Sequence, residues 1–250
     1  MDDQTISVFM TPILPGKAGL LRESAFSIDD KAQFFSKLGI SKYHRWIQNI
    51  YNEHFLIHLV KSKDINAAFN RLKEEISKND NIAKELRKLY LECLEVDLLG
   101  PHFIPKTKEL TKLISMGVEN ENGAMVKEYC FVYPILPPKK QKMIDLYDDE
   151  KLIKKYGDML DDYKEQVNNI YRFRGVSKNQ LWIQETGSRS FLVIYQEITG
   201  PVTDARDKYL NVRDNELAMF LAQEFSEITG LSFEELLPNL ESLIDFEVLR

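Results

Sequence analysis

Two short stretches of the chain combine aromatic rings with amide groups: SKYHRWIQ at 41–48 and SKNQLWIQ at 177–184. If both stretches are β-strands, the tryptophan and the glutamine two residues after it project from the same face of a sheet. Indole rings provide broad apolar contact and amides fix the orientation of a ligand, a composition typical of small-molecule pockets. The candidate lining of such a pocket is Trp46, Gln48, Trp182 and Gln184, with His44, Tyr133 and Tyr195 as further polar contributors.

Core packing explains the same residues without a ligand. A buried tryptophan needs one acceptor for its indole N–H, and a glutamine two residues away can supply it. The recurrence of the motif slightly favours packing, because packing needs both copies intact and a catalytic centre rarely does. The pattern therefore leaves a ligand site and a closed core as alternatives, and it assigns no catalytic residue.

The four histidines are the residues best suited to proton transfer or haem binding. His54 and His58 share a strand face in HFLIH, but residues four apart on a strand are separated by roughly 13 Å, too far to share a metal ion. We expect His58 to face the helices as a hydrogen-bonded core residue, whereas His44 shares a face with Trp46 and is the best functional candidate. The sequence contains no phosphate-binding loop, nucleophile elbow, zinc-protease motif or CxxC pair. We expect neither a metal nor an organic cofactor.

The similarity between the two stretches extends along the chain. The register continues without a gap from FLIHL in the first half to FLVIY in the second, and upstream TPILPGK resembles YPILPPK. Downstream, at an offset of 135, the helical positions Ile82, Leu86, Leu89, Tyr90 and Cys93 correspond to Leu217, Leu221, Glu224, Phe225 and Ile228. Three matching segments in the same order indicate an internal duplication. We therefore divide the chain into a first repeat at 1–118 and a second at 124–250, with a polar linker at 119–123.

Each repeat is predicted to fold as strand, helix, hairpin, helix and strand. ISVFMTPIL and KEYCFVYPIL are rich in β-branched and aromatic residues and stop at proline, as strands do. Apolar residues recurring at three and four from Met143 to Ile170 predict one long amphipathic helix, kinked near Gly157. A second helical stripe ends near Gly230, and the closing strands are expected at 109–117 and 241–249.

QLWIQETGSRSFLVIYQEI predicts a hairpin that turns at Gly187–Ser188. This turn pairs Gln184 with Phe191, Trp182 with Val193 and Gln180 with Tyr195. The other face is aliphatic and is expected to meet the helices; it carries Leu181, Ile183, Leu192 and Ile194.

The order βαββαβ is that of the ferredoxin-like unit. With a Gly-(Ile/Val)-Ser sequence before each WIQ strand and a hairpin return, the duplicated layout resembles the dimeric α+β-barrel superfamily, which includes antibiotic-biosynthesis-monooxygenase-like and stress-responsive barrel proteins. The resemblance implies an α+β fold in which two tandem ferredoxin-like repeats form one barrel with a pseudo-twofold axis. The aromatic and amide face would line the interior of that barrel, and no catalytic residue is carried over to this chain.

The amino-acid composition argues against two classes of partner, nucleic acids and membranes. The 250-residue chain is 44% hydrophobic and 29% charged with a net charge of −6, which is typical of a folded soluble protein. We expect no nucleic-acid partner, because there is no block of lysine or arginine, and no membrane, because no apolar run approaches roughly 18 residues. Cys93 and Cys130 are expected to be buried free thiols, which suits the cytoplasm. We expect a monomer or a modest homodimer.

Three functions remain open at this point. The first is a monooxygenase-like or isomerase-like enzyme that transforms a small apolar or aromatic molecule inside the barrel. The second is a non-catalytic protein that binds such a molecule. The third is a structural or partner-binding protein with a filled interior, since barrels of about eight strands can be filled by side chains or hold one small ligand.

Overall fold

The computed structural model describes residues 5–23, 28–100, 107–110, 126–211, 215–232, 235 and 240–247. Its helices accompany two antiparallel four-stranded sheets, in agreement with the predicted α+β class. The chain divides into two compact units: unit 1 comprises Met1–Pro105 with Asn239–Arg250, and unit 2 comprises Lys106–Pro238. Within the described ranges, no helix combines the length and the apolar character that a membrane span requires.

Unit 1 contains sheet A. In bonded order, its strands are β1 (Thr5–Pro12), β3 (Glu53–Ser62), β2 (Ile40–Ile50) and β8 (Leu240–Glu247). Its helices are α1 (Ala18–Glu23), α2 (Ile28–Lys37), α3 (Ile65–Ser77) and α4 (Asn81–Leu94). α3 begins after Asp64, whose carboxylate accepts hydrogen bonds from two free backbone N–H groups of the first turn.

One face of sheet A packs against the helices of unit 1. Phe9, Tyr43, Ile47, Leu56 and Val60 form a single buried apolar cluster with side chains of α2, α3 and α4. Ile47 and Leu56 therefore lie beneath the helices of unit 1. In each sheet, we call the side that packs against helices the helix face and the opposite side the far face.

Unit 2 contains sheet B. In bonded order, its strands are β4 (Thr107–Glu109), β6 (Val176–Thr186), β7 (Arg189–Thr199) and β5 (Val126–Ile135). Its helices are α5 (Lys140–Leu146), α6 (Asp149–Tyr156), α7 (Leu160–Arg174), α8 (Val202–Leu210) and α9 (Glu216–Thr229).

The long helix predicted between Met143 and Ile170 is three helices, α5, α6 and α7. A 3-10 turn at Gly157–Met159 separates α6 from α7, and Gly157 has φ 48° and ψ −122°, a conformation that a residue with a Cβ adopts only with strain. The first break precedes Asp148, whose carboxylate caps α6. The helical periodicity thus continues across both breaks, which is why the sequence pattern indicates one helix.

The second hairpin has the predicted pairing, with Trp182 opposite Val193. The first hairpin has the same register, with Trp46 opposite Ile57 at the corresponding position of sheet A. The turn of sheet A is formed by Tyr51 and Asn52, both with positive φ, as two-residue hairpins require. The shared register agrees with the duplication, which itself stays a prediction.

The closing strands define the limits of the compact units. β8 pairs with β2 in sheet A, and β4 pairs with β6 in sheet B, so each sheet contains a strand from the other half of the sequence. The units therefore differ from the predicted sequence repeats 1–118 and 124–250 at both closing strands. Residues 111–117 and 248–249 of the predicted closing strands, and the predicted linker at 119–123, lie outside the described residues.

Candidate functional site

The predicted site residues of the first repeat lie together on the far face of sheet A. His44, Trp46 and Gln48 are 8%, 2% and 0% exposed. The His44 ring stacks on the Trp46 indole with 3.9 Å between the ring centroids, and its Nε2 lies 2.8 Å from Oγ of Ser242 on β8. His44 is thus held in place on both sides, by an indole ring and by the hydroxyl of a neighbouring strand.

The predicted residues Trp182, Gln184 and Tyr195 share the far face of sheet B. All three are buried, and Nε2 of Gln184 donates a hydrogen bond to Oγ1 of Thr186 at 3.2 Å. The alternation of side chains along β6 and β7 therefore assigns these three residues to the correct face of the sheet.

The Tyr195 hydroxyl contacts two carboxylates. It donates towards Glu128 and lies 2.7 Å from Oε1 of Glu197, while Nζ of Lys178 is 3.7 Å from the same Glu197 oxygen. Burial and the Glu128 charge raise the pKa of Tyr195 far above its ordinary value of 10. Tyr195 therefore keeps its proton and cannot serve as a base.

Tyr133 lies on the other side of sheet B from Trp182. It is opposite Leu192, which faces the helices, and it is 3% exposed. The grouping of Tyr133 with the tryptophan face is therefore corrected: β5 begins in such a register that this ring points towards the helices.

The helix face of sheet B carries a cavity of about 80 Å³, which we call the helix-side pocket. It lies between β5, β6 and β7 on one side and α7 and α9 on the other. A site able to hold one water needs roughly 10–15 Å³, so the pocket has room for several waters or one small molecule. Its lining is Phe131, Tyr133, Tyr147, Ile170, Tyr171, Arg174, Asn179, Leu181, Ile194, Gln196, Ala218, Leu221, Ala222 and Phe225.

Two neighbouring amides provide the polar side of this pocket. Nε2 of Gln196 donates a hydrogen bond to Oδ1 of Asn179 at 3.0 Å, and both side chains are 5% exposed. Oε1 of Gln196 is buried and has no hydrogen-bond partner among the described residues. A buried acceptor of this kind is costly unless a donor reaches it. The pocket therefore presents an acceptor to any molecule that enters it.

Arg174 and Tyr171 close the pocket at the end of α7. The guanidinium carbon of Arg174 lies 5.5 Å from the centroid of the Tyr171 ring, within the range of a cation–π contact. Burial raises the pKa of Tyr171, and the positive charge of Arg174 opposes this shift. The Tyr171 phenol therefore keeps its proton at neutral pH.

The ionisable groups of the lining are Arg174 and three tyrosines, all protonated at neutral pH. The pocket can therefore donate hydrogen bonds, provide one positive charge and accept one hydrogen bond at Gln196. Groups of this kind can orient a molecule but cannot remove a proton from it. Within the described residues, no three His, Cys, Asp or Glu side chains lie close enough together to hold a metal ion.

The corresponding layer of unit 1 is filled by rings. His58 is fully buried, and its Nδ1 lies 3.0 Å from the hydroxyl of Tyr43 and 3.3 Å from that of Tyr90, as predicted for a hydrogen-bonded core histidine. The Phe9 ring stacks on the imidazole at 4.6 Å. Burial lowers the pKa of His58 well below 6.5, and the charge of Arg45 lowers it further. His58 is thus neutral at physiological pH.

Sequence reasoning missed Arg174, Asn179 and Gln196. The alternation that sorted the middle of the second hairpin also applies one pair further along, where Asn179 lies opposite Gln196 on the helix face. Extending that pattern would have shown an amide pair at the end of an otherwise aliphatic face. No comparable signal marks Arg174, because α7 carries charged residues along most of its length.

Comparison with known proteins gives no family assignment. No family model matches the chain, and no curated protein matches it. Among solved structures, the fold is similar to a "Putative monooxygenase" from Fusobacterium nucleatum subsp. nucleatum ATCC 25586, with 10% identity, 98% of this chain and 94% of that chain covered, and a TM-score of 0.43. It is also similar to an "anthrone oxidase-like protein", with 12% identity, 99% and 91% of the two chains covered, and a TM-score of 0.44. At these values the similarity carries no argument about the activity of this chain.

Proposed function

We propose that unit 2 binds a small, mainly aromatic molecule in the helix-side pocket. The observation that carries the proposal is the cavity of about 80 Å³ that aromatic rings enclose together with a buried amide pair. Ligand sites are typically concave, mostly apolar and equipped with a few polar groups that fix orientation. The helix-side pocket has each of these properties.

The polar groups indicate which molecules fit best. Oε1 of Gln196 is a buried acceptor without a partner among the described residues, so a ligand with an O–H or N–H group would satisfy it. Arg174 favours an electron-rich or partly negative group near the end of α7. A single aromatic ring that carries a hydroxyl group is therefore the simplest probe, and phenol serves this purpose.

Filling the pocket tests the proposal. Ala222 lies in the lining on α9 and is buried, so Ala222→Leu places three additional carbon atoms in the cavity. We expect phenol binding, measured by isothermal titration calorimetry, to weaken at least about tenfold, because a pocket of this size cannot hold both groups. Met219→Leu is the matched control, since Met219 lies on the same helix but is 39% exposed. Equal phenol affinity in both variants would contradict the proposal.

The resemblance to barrel monooxygenases adds a second step, in which the bound molecule is oxygenated or rearranged. The lining supports binding and orientation in such a reaction, because its tyrosines and Arg174 are donors rather than bases. Oxygen uptake by the full chain in the presence of phenol, with Ala222→Leu as the comparison, tests this step. Uptake that is the same in the wild type and the variant would exclude the pocket as the place of reaction.

A structural or partner-binding role is the alternative. It is favoured by the far faces, where Trp46, Gln48 and Gln184 are buried as core residues would be. If no aromatic probe binds unit 2 with measurable affinity, the helix-side pocket is a packing feature and this alternative accounts for the chain.

A further inference from the structure

Arg45 on β2 is the largest buried charged side chain of unit 1. It is 0% exposed, and none of its three guanidinium nitrogens has a hydrogen-bond partner among the described residues. It projects from the helix face, since it lies directly opposite His58 on β3. An arginine never loses its charge in proteins, so this guanidinium cannot become neutral to suit its surroundings.

His58 contributes a second donor beside Arg45. The hydroxyls of Tyr43 and Tyr90 both approach Nδ1, and with Nδ1 as the acceptor the imidazole proton lies on Nε2. Nε2 is buried and has no hydrogen-bond partner in the described ranges. Side chains directly opposite each other on antiparallel strands have Cβ atoms roughly 4.5–5.5 Å apart, so the two donors are neighbours.

The unsatisfied groups at this place are donors, and one of them carries a permanent positive charge. Burial of a charged group without a partner is strongly unfavourable, and buried charges in proteins are normally paired. The nearby Tyr43 ring, whose centroid lies 5.6 Å from the Arg45 guanidinium carbon, offers a cation–π contact but no acceptor in the plane of the N–H groups. An acceptor of negative charge is the chemical group that completes this set.

We propose that Arg45 and Nε2 of His58 form a binding site for a compact anion, of the size of a halide or a small carboxylate. The Tyr43 and Tyr90 rings also border a cavity of only about 30 Å³, so this part of the core is closely packed and a compact anion is the ligand that suits it. Guanidinium groups bind carboxylates through two parallel hydrogen bonds, which suits a small carboxylate in particular. The site lies in unit 1 and is independent of the function proposed for unit 2.

The site has no counterpart in sheet B. Leu181 lies opposite Ile194 where Arg45 lies opposite His58, so two apolar residues stand where sheet A has two donors. This difference suggests a variant that tests the proposal. Arg45→Leu replaces the cation with leucine, the residue that sheet B has at the corresponding position. Replacing a buried unpaired ion by a hydrophobic residue of similar volume is compatible with folding.

Thermal unfolding of the full chain at constant sodium concentration provides the first experiment. The sodium salts of chloride and formate are the two compact anions, and sodium gluconate, whose anion is too large for this layer, is the reference. A ligand that binds only the folded state raises Tm with its concentration, and a tenfold excess over Kd corresponds to a rise of about 3–6 °C in a chain of this size. We expect this rise with chloride or formate in the wild type and none in Arg45→Leu. A rise with formate alone identifies a carboxylate site, and a rise with both anions a general one.

Crystals grown with sodium bromide provide a second measurement that does not depend on the variant. We expect an anomalous bromide peak within hydrogen-bond distance of the Arg45 guanidinium. A wild type whose Tm is the same in all three salts, together with no bromide peak at Arg45, would overturn the proposal. So would an identical anion response in the wild type and in Arg45→Leu.

Discussion

The layer between sheet and helices is constructed differently in the two units, although the positions correspond in the predicted repeat. In unit 1 it holds Tyr43, His58 and Tyr90, and in unit 2 it holds Asn179, Ile194 and Phe225. The three rings of unit 1 contact one another through their polar atoms and leave a cavity of only about 30 Å³. In unit 2 the small Asn179 amide stands where unit 1 has the Tyr43 ring, and about 80 Å³ remains open. A shared strand register thus supports either a closed core or a pocket, and a few side chains decide which one forms.

The largest expected effect concerns sheet B, on which the layer of unit 2 rests. Leu192 is fully buried on the helix face of sheet B, so Leu192→Ala should lower the free energy of unfolding by about 2–5 kcal/mol, the range for such core truncations. Urea denaturation measures the change. A loss below about 0.5 kcal/mol, as at surface positions, would show that the two faces of sheet B are assigned in reverse.

The next prediction compares two alanines that correspond in the predicted repeat. Ala83 in α4 belongs to the filled core of unit 1, whereas Ala218 in α9 lines the helix-side pocket. Ala83→Leu should cost about 1–3 kcal/mol through overpacking. Ala218→Leu should change the free energy of unfolding by no more than about 0.5 kcal/mol, because the added atoms enter open space. Equal costs in urea denaturation would remove the distinction between the two layers.

The buried imidazole of His58 in unit 1 should make the free energy of unfolding depend on pH. Because the pKa of His58 in the folded chain lies well below 6.5, the unfolded chain takes up a proton below about pH 6.5 that the folded chain does not. The free energy of unfolding should therefore fall by up to about 1.4 kcal/mol for each pH unit below that value. Denaturation of His58→Gln from pH 7 to pH 5 should show a shallower decrease. An unchanged slope would mean that the folded chain binds the same proton.

The smallest expected effect lies within the pocket. Phenol can donate a hydrogen bond to Oε1 of Gln196 and its methyl ether, anisole, cannot. A net hydrogen bond contributes about 0.5–1.5 kcal/mol, so calorimetry should show about 2–10 times tighter binding of phenol. Gln196→Leu should abolish this preference while anisole still binds. A preference that persists in the variant would assign the hydrogen bond to another group.

The hairpins were predictable because their determinants are local. A two-residue turn at Gly187 and Ser188 sets the register, and alternation then assigns Trp182, Gln184 and Leu192 to faces. The sequence could not assign the face of Tyr133 correctly, since β5 follows no turn that fixes its register against β7. The position of β8 beside β2 depends on contacts between distant parts of the sequence, and no pattern within either strand encodes it.

For a related reason, only some of the site residues could be predicted from the sequence. The motif with Trp46 and Trp182 is conspicuous because it recurs, and the structure places both indoles on the far faces. The helix-side pocket arises instead where large residues are missing, at Ala218 and Ala222. Sequence patterns mark the side chains that fill space, and open space becomes evident only once the elements are packed.

We propose that the helix-side pocket of unit 2 binds a small aromatic molecule and that the corresponding layer of unit 1 does not. Methyl and indole NMR during a phenol titration can distinguish the two regions, because the chain has reporters in each of them. We expect shifts at the methyl groups of Ile170 and Ile194, which line the pocket, and none at Ile47 beneath the helices of unit 1. Shifts confined to Ile47 or to the indole N–H signals of Trp46 and Trp182 would contradict it.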